Sequence, residues 1–107
     1  MAYVVLWRYR VRPEHVARFE RAYGPKGDWA RLFGRCAGFI GLELVRDAAA
    51  PGVYVTIDRW RVASDYDAML RENVGDYTRL DAECAALTLT EEKLGAYETT
   101  SGVSGLS

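Results

Sequence analysis

The 107-residue chain holds two cysteines, three prolines and one histidine. Cys36 and Cys84 lie far apart and form no C-x-x-C pattern, so neither a disulfide framework nor a cysteine metal centre is expected. They read as reduced, buried thiols of a cytosolic protein. His15 stands in the first turn of a helix beside Glu14 and reads as a solvated surface residue, not a metal ligand. Fourteen Lys and Arg face fifteen Asp and Glu, for a net charge of −1. A phosphate-coating basic surface is therefore missing, and no nucleic-acid partner is expected. No apolar run nears the roughly 20 residues of a membrane span. The opening MAYVVLWRYR has no basic region before its apolar run and no small-residue cleavage site after it, so neither a signal peptide nor a membrane contact is expected. No G-x-G-x-x-G, P-loop, H-E-x-x-H or G-x-S-x-G motif supports nucleotide, zinc or serine-hydrolase chemistry.

What the chain does have is apolar and aromatic surface. Half of it is apolar, 12% is aromatic and 27% is charged, which excludes disorder and fits one small folded domain. Tyr3 to Val11 alternates at period two and predicts a strand. Pro13 suits the first turn of a helix, continued by Val16, Phe19 and Tyr23 at helical spacing. Gly24-Pro25-Lys26-Gly27 stops it, and Asp28 is placed to cap a short second helix carrying Trp29, Leu32 and Phe33. Phe39 to Arg46 and Val53 to Trp60 predict a hairpin about the turn Asp47 to Gly52. Ser64 with Asp67 resembles a capping box, opening a helix with Tyr66, Met69 and Leu70 on its apolar stripe. A bend is expected at Asn73-Val74-Gly75, after which Tyr77, Leu80, Cys84 and Leu87 continue at spacings of three and four. Thr88 to Glu92 reads as turn-like and Leu94 to Glu98 as a short last strand. Residues 1–98 form the expected domain, and Thr99 to Ser107 a flexible Gly/Ser/Thr tail.

The order β-α-β-β-α-β predicts an α+β, ferredoxin-like fold: a four-stranded antiparallel sheet with helices on one face. The other face is not polar. Val4, Leu6, Val53, Val55 and Ile57 point away from the predicted helices, and Ile40, Leu42 and Leu44 share one face of the second strand. A sheet face open to water should read polar. Five such side chains left in water would cost roughly 1.5–3 kcal/mol each. A homodimer through this sheet face is therefore expected, with coverage by the C-terminal tail as the alternative.

Several segments resemble the antibiotic biosynthesis monooxygenase family across residues 3–98: Tyr23, Trp29, Leu32 and Phe33 leading into GFIGLEL at Gly38 to Leu44, IDRW at Ile57 to Trp60, YTRLDAECAALT at Tyr77 to Thr88, and LGAYE at Leu94 to Glu98. The resemblance implies a dimeric α+β barrel with a pocket between the sheet and helices of each protomer. It also implies one of several activities hosted on that scaffold, among them cofactor-free oxygenation of polycyclic phenols and haem degradation. Trp60 matches a tryptophan that borders the pocket in several members. The Asn and His that serve haem degradation fall at Trp7 and at Met69 or Leu70, so that route is disfavoured. No cofactor is expected.

On the helix side of the sheet the alternation places Trp7, Tyr9, Tyr54, Thr56, Asp58 and Trp60. The helices can add Phe19, Tyr23, Trp29, Phe33, Tyr66, Met69 and Tyr77. Such a surface suits a flat aromatic ligand. Phe19, Leu32, Phe33 and Leu80 read as ordinary core, while Trp7 and Trp60 stand between wall and core. Asp58 is the candidate base: burial among aromatics would raise its pKa. The competing and preferred reading is an ion pair with Arg31 or Arg71. Tyr54, Tyr66 and Tyr77 can hydrogen-bond a phenolate or simply pack. Arg8, Arg10 and Arg12 share the opposite strand face, expected at the dimer rim. Two functions follow as expectations: a cofactor-independent monooxygenase acting on a small aromatic or phenolic substrate, or a non-catalytic homodimeric binder of a hydrophobic metabolite. A void of a few hundred Å³ beside Trp60 is expected of both, and its absence of a purely structural dimer.

Overall fold

A computed structural model describes residues 2–100. Four strands, β1 (Tyr3–Val11), β2 (Phe39–Arg46), β3 (Val53–Trp60) and β4 (Thr88–Glu98), form one antiparallel sheet in the order β2-β3-β1-β4. This is the ferredoxin-like order, with the first and third strands central. A 3₁₀ turn at Pro13–His15 leads into α1 (Val16–Tyr23), and α2 (Asp28–Gly34) follows the Gly-Pro-Lys-Gly break. On the other side of the chain's midpoint lie α3 (Ala63–Glu72) and α4 (Val74–Cys84), broken at Asn73 where the sequence predicts a bend.

The helix starts differ in detail from expectation. The residue that caps α2 is Gly27, and Asp28 is already helical, paired with Arg31. Val62 precedes α3, and neither Ser64 nor Asp67 caps it by a side-chain hydrogen bond. A carboxylate in the first turn still favours the positive helix end, which is the role left to Asp28 and Asp65. Gly38, between α2 and β2, has φ +83, and a Cβ there would lie 2.0 Å from Oδ2 of Asp65. Only glycine combines that backbone region with that approach.

The last strand is longer than expected. Thr88 to Glu92 is not a turn: it pairs with β1 through Val11↔Thr88, Arg10↔Thr90 and Tyr9↔Glu91. Bulges between Leu6 and Trp7 and between Arg10 and Val11 break the apolar alternation that would have revealed it. Thr99 continues the edge: its N–H donates to the Ala2 carbonyl at 2.9 Å, and its Oγ1 accepts from the Ala2 N–H at 2.7 Å. The remainder of the expected tail, from residue 101, lies outside the described residues.

The core sits between the sheet and the helices. Val5, Tyr9, Val11, Tyr54, Thr56, Asp58 and Trp60 face it from the central strands. A bulge between Phe39 and Gly41 divides the second strand's apolar set, so Leu42 and Leu44 join this face opposite Asp58 and Thr56, and Ile40 is left 58% exposed. The outer face is apolar as expected but partly shielded within one chain. Val4 and Val53 are buried, Leu6, Val55 and Ile57 half-buried, while Val45 and Tyr97 are exposed beside them.

Candidate functional site

Position 58 explains itself from the register. Asp58 alternates with Tyr54, Thr56 and Trp60, and so turns inward. Its neighbours across the sheet are Val5 on β1 and Leu42 on β2. Neither can solvate a carboxylate. Asp58 is 6% exposed, its Oδ1 has no hydrogen-bond partner, and among the described residues it forms no ion pair. The expected pairing with Arg31 or Arg71 is therefore corrected: Arg31 pairs with Asp28, and Arg71 forms no salt bridge among the described residues. Burial without compensation pushes the Asp58 carboxyl from its ordinary 3.8 up to about 7.

Asp58 and Thr56 form part of a chamber roofed by the helices. Trp7, Tyr9 and Leu42 come from the sheet, Tyr23, Trp29 and Phe33 from α1 and α2, and Tyr77 and Asp81 from α4; Glu91 of β4 completes it. The void is half open to solvent and about 30 Å³, room for one or two water molecules, so the few hundred Å³ expected beside Trp60 is absent among the described residues. Three polar atoms of its lining residues are buried and unpartnered: Trp29 Nε1, Thr56 Oγ1 and Asp58 Oδ1. The Tyr9 and Tyr23 hydroxyls lie close enough to Thr56 and Trp29 to act on them, so the atom left wholly uncompensated is Asp58 Oδ1, and buried polar atoms are nearly always satisfied.

Of the residues selected from sequence, Asp58, Trp7, Tyr9, Trp29 and Tyr77 meet at this chamber. Trp60 does not line it. It is wholly buried, with rings of Phe39, Phe33 and Tyr66 at 5.1, 5.5 and 5.9 Å, and belongs to the core. Met69 is likewise core, at 1% exposure. Tyr66 packs on Trp60 and Tyr3 and lies under the Lys93 ammonium, 5.6 Å from its ring centre. Tyr54 donates its hydroxyl to the Glu20 carboxylate at the far end of the sheet. Its phenol is pushed up by burial and then by that carboxylate.

Two lining residues escaped the sequence reading. Asp81 stands one helical turn after Tyr77, a spacing that places both on one face, but α4 looks polar there. Glu91 lies in Thr88 to Glu92, where the sequence predicts a turn. Both are exposed at the rim, and burial followed by the Asp81 charge raises the Glu91 carboxyl. Burial also raises the phenols of Tyr9, Tyr23 and Tyr77, holding them neutral and able to donate hydrogen bonds. Among the described residues no group of three His, Cys, Asp or Glu side chains is placed to hold a metal ion, and no helix is long and apolar enough to cross a membrane.

Comparison with known proteins agrees with this architecture. No curated protein matches the chain. SnoaB, a cofactor-independent oxygenase from Streptomyces nogalater, superposes with a TM-score of 0.71 at 21% identity, over 96% of this chain and 97% of its own. A Deinococcus radiodurans protein provisionally described as an antibiotic biosynthesis monooxygenase covers 100% of both chains with a TM-score of 0.77 at 15% identity. A Nitrosomonas europaea protein with the same provisional description reaches 0.71 at 15% identity, over 92% of this chain and 90% of that one. At such identities these likenesses establish the fold. Residues 2–73 match the model of the antibiotic biosynthesis monooxygenase family, and the chain, with its ferredoxin-like sheet and helix-roofed chamber, belongs to that family.

Proposed function

We propose that this chain is a cofactor-independent monooxygenase acting on a small aromatic or phenolic substrate. The observation that carries the reading is Asp58: a carboxylate without a partner, held near pKa 7 by burial, in a chamber walled by six aromatic side chains. A base near neutrality is matched to proton abstraction from an acidic C–H or phenolic O–H. Asp58 takes that proton. The substrate carbanion or phenolate then passes an electron to dioxygen, and the two radicals combine into a hydroperoxide. Proton return from Asp58 and loss of water leave a carbonyl, so CH₂ and O₂ become C=O and H₂O. The protein supplies desolvation, orientation and neutral phenolic donors toward the developing charge. SnoaB, which shares the fold, is described as a cofactor-independent oxygenase, and this supports the assignment by analogy.

The chamber holds about 30 Å³, so a polycyclic substrate requires its walls, the half-buried Trp7 and Tyr77 among them, to move apart. The homodimer belongs to the same proposal: two outer sheet faces bury Leu6, Val55, Ile57, Val45 and Tyr97 against each other. Sedimentation should give a dimer, and Ile57→Glu a monomer. Oxygen uptake with anthrone- or quinol-type compounds tests the chemistry. Wild type should consume oxygen with a rate that rises with pH as Asp58 ionises through about 7 and then levels. Asp58→Asn should lose at least about a hundredfold, the usual scale of general-base catalysis. Full turnover in Asp58→Asn removes Asp58 from the mechanism. Saturable tryptophan quenching without oxygen uptake would replace the reading with a non-catalytic binder.

A further inference from the structure

Among the described residues the chamber is lined by three carboxyl groups, Asp58, Asp81 and Glu91, and by no arginine, lysine or histidine. Asp58 is buried, whereas Asp81 and Glu91 are exposed, so they sit as floor and rim. The two rim carboxylates come from different elements, α4 and β4, and feel each other's charge. An acidic rim alone would be an ordinary solvated surface. Here it shares a chamber with Asp58 Oδ1, buried and without a partner, and with Trp29 Nε1 and Thr56 Oγ1, which make no well-formed hydrogen bond among the described residues. Trp29 Nε1 can only donate, Asp58 Oδ1 accepts when ionised, and Thr56 Oγ1 does either.

We infer that Asp81 and Glu91 act as a charge filter at the rim: the chamber takes an uncharged hydroxyarene and refuses arenes bearing a carboxylate, sulfonate or phosphate. The hydroxyl of such a ligand donates toward Asp58 or Thr56, and a second oxygen accepts from Trp29 Nε1. An anionic group would meet like charge at the rim and find no cation inside. Its desolvation would go uncompensated. The inference rests on the chamber being the ligand site, as proposed above, and adds which ligands it admits. The residues concerned are specificity determinants, not catalytic groups.

Matched probes test it by isothermal titration calorimetry at neutral pH, with 2-naphthol as the uncharged arene and 2-naphthoate as its anionic counterpart. Wild type should bind naphthol about tenfold or more tightly than naphthoate at low ionic strength, since two nearby like charges each weaken binding several-fold. Raising salt toward about 0.5 M should narrow the gap by screening the exposed rim. The double variant Asp81→Asn/Glu91→Gln should tighten naphthoate several-fold and narrow the gap, the change falling on the anion; the remainder is the uncompensated desolvation inside. Both substitutions are at exposed positions, and thermal melts confirm that the variant is folded. Equal affinities in wild type, a gap unchanged in the double variant, or binding of neither probe overturns the inference. Naphthol binding that discriminates as stated, with no oxygen uptake from any phenol, would sink the proposed chemistry and leave the filter standing.

Discussion

Two pairs of helices cover the same sheet and hold it differently. α1 and α2 bury Phe19, Ala22, Tyr23, Trp29, Ala30, Leu32 and Phe33, with Phe19 and Tyr23 stacked at 4.2 Å. α3 and α4 bury Tyr66, Met69 and Cys84, and the eleven residues of α4 bury only Cys84. What α4 has instead is Tyr77 and Leu80, both half-buried, and exposed ion pairs from Asp76 to Arg35 at 2.9 Å and Arg79 at 2.6 Å. Exposed pairs hold a helix weakly. The chamber lies where the two pairs meet, so one wall is firm core and the other is the element with least to lose on opening. Regions with few buried apolar contacts open at lower free energy than the global fold. On the proposed function, α4 with Tyr77 is the wall that opens at least cost.

The comparison breaks first on core truncation. Phe19→Ala should destabilise by about 3–5 kcal/mol in denaturant unfolding, whereas Leu80→Ala on α4 should cost about 1 kcal/mol or less. Equal losses would mean α4 is as firmly seated as α1. Next comes the residue beneath both pairs. The Asp58 carboxyl is raised from 3.8 to about 7 in the folded chain, so the native state holds its proton where the unfolded state has released it. Its effect on stability is therefore nil below about pH 4. It becomes destabilising as pH rises through that window and is complete above 7, amounting to about 4 kcal/mol at most. Asp58→Asn should thus melt well above wild type at pH 8 and close to it at pH 4, while losing turnover. A pH-independent difference would contradict the buried, unpaired carboxylate.

Hydrogen exchange sharpens the comparison further. Amides of α4 should exchange through openings roughly 2 kcal/mol or more cheaper than those of α1, and a saturating naphthol should slow α4 most. The smallest effect is expected at Tyr54, whose hydroxyl serves Glu20 and not the chamber. Tyr54→Phe should cost about 1 kcal/mol in thermal unfolding and leave naphthol affinity where it was.

Strand alternation made most of the fold legible. Tyr3, Val5, Trp7, Tyr9 and Val11 shared one face in the sequence as they do in the structure, and Asp58 followed Thr56 inward. Legibility failed where one extra residue changes the face. The β2 bulge separated Ile40 from Leu42 and Leu44, and the two β4 bulges disguised a strand that carries Glu91 to the chamber. It failed again where identity of face says nothing of depth. Trp60 and Met69 share the helix side with Asp58 yet sink into the core, because Phe33, Phe39 and Tyr66 close around Trp60.

The pattern of residues by itself determined the element order, the two-sided apolar character of the sheet and the inward direction of Asp58. These depend on period and chain direction, which are local. Only the tertiary structure decided that Asp58 has no arginine, that Trp60 is core and not wall, and that Asp81 and Glu91 flank one chamber. Partnership and depth depend on which distant segments arrive beside a residue, and no spacing along the chain encodes that arrival.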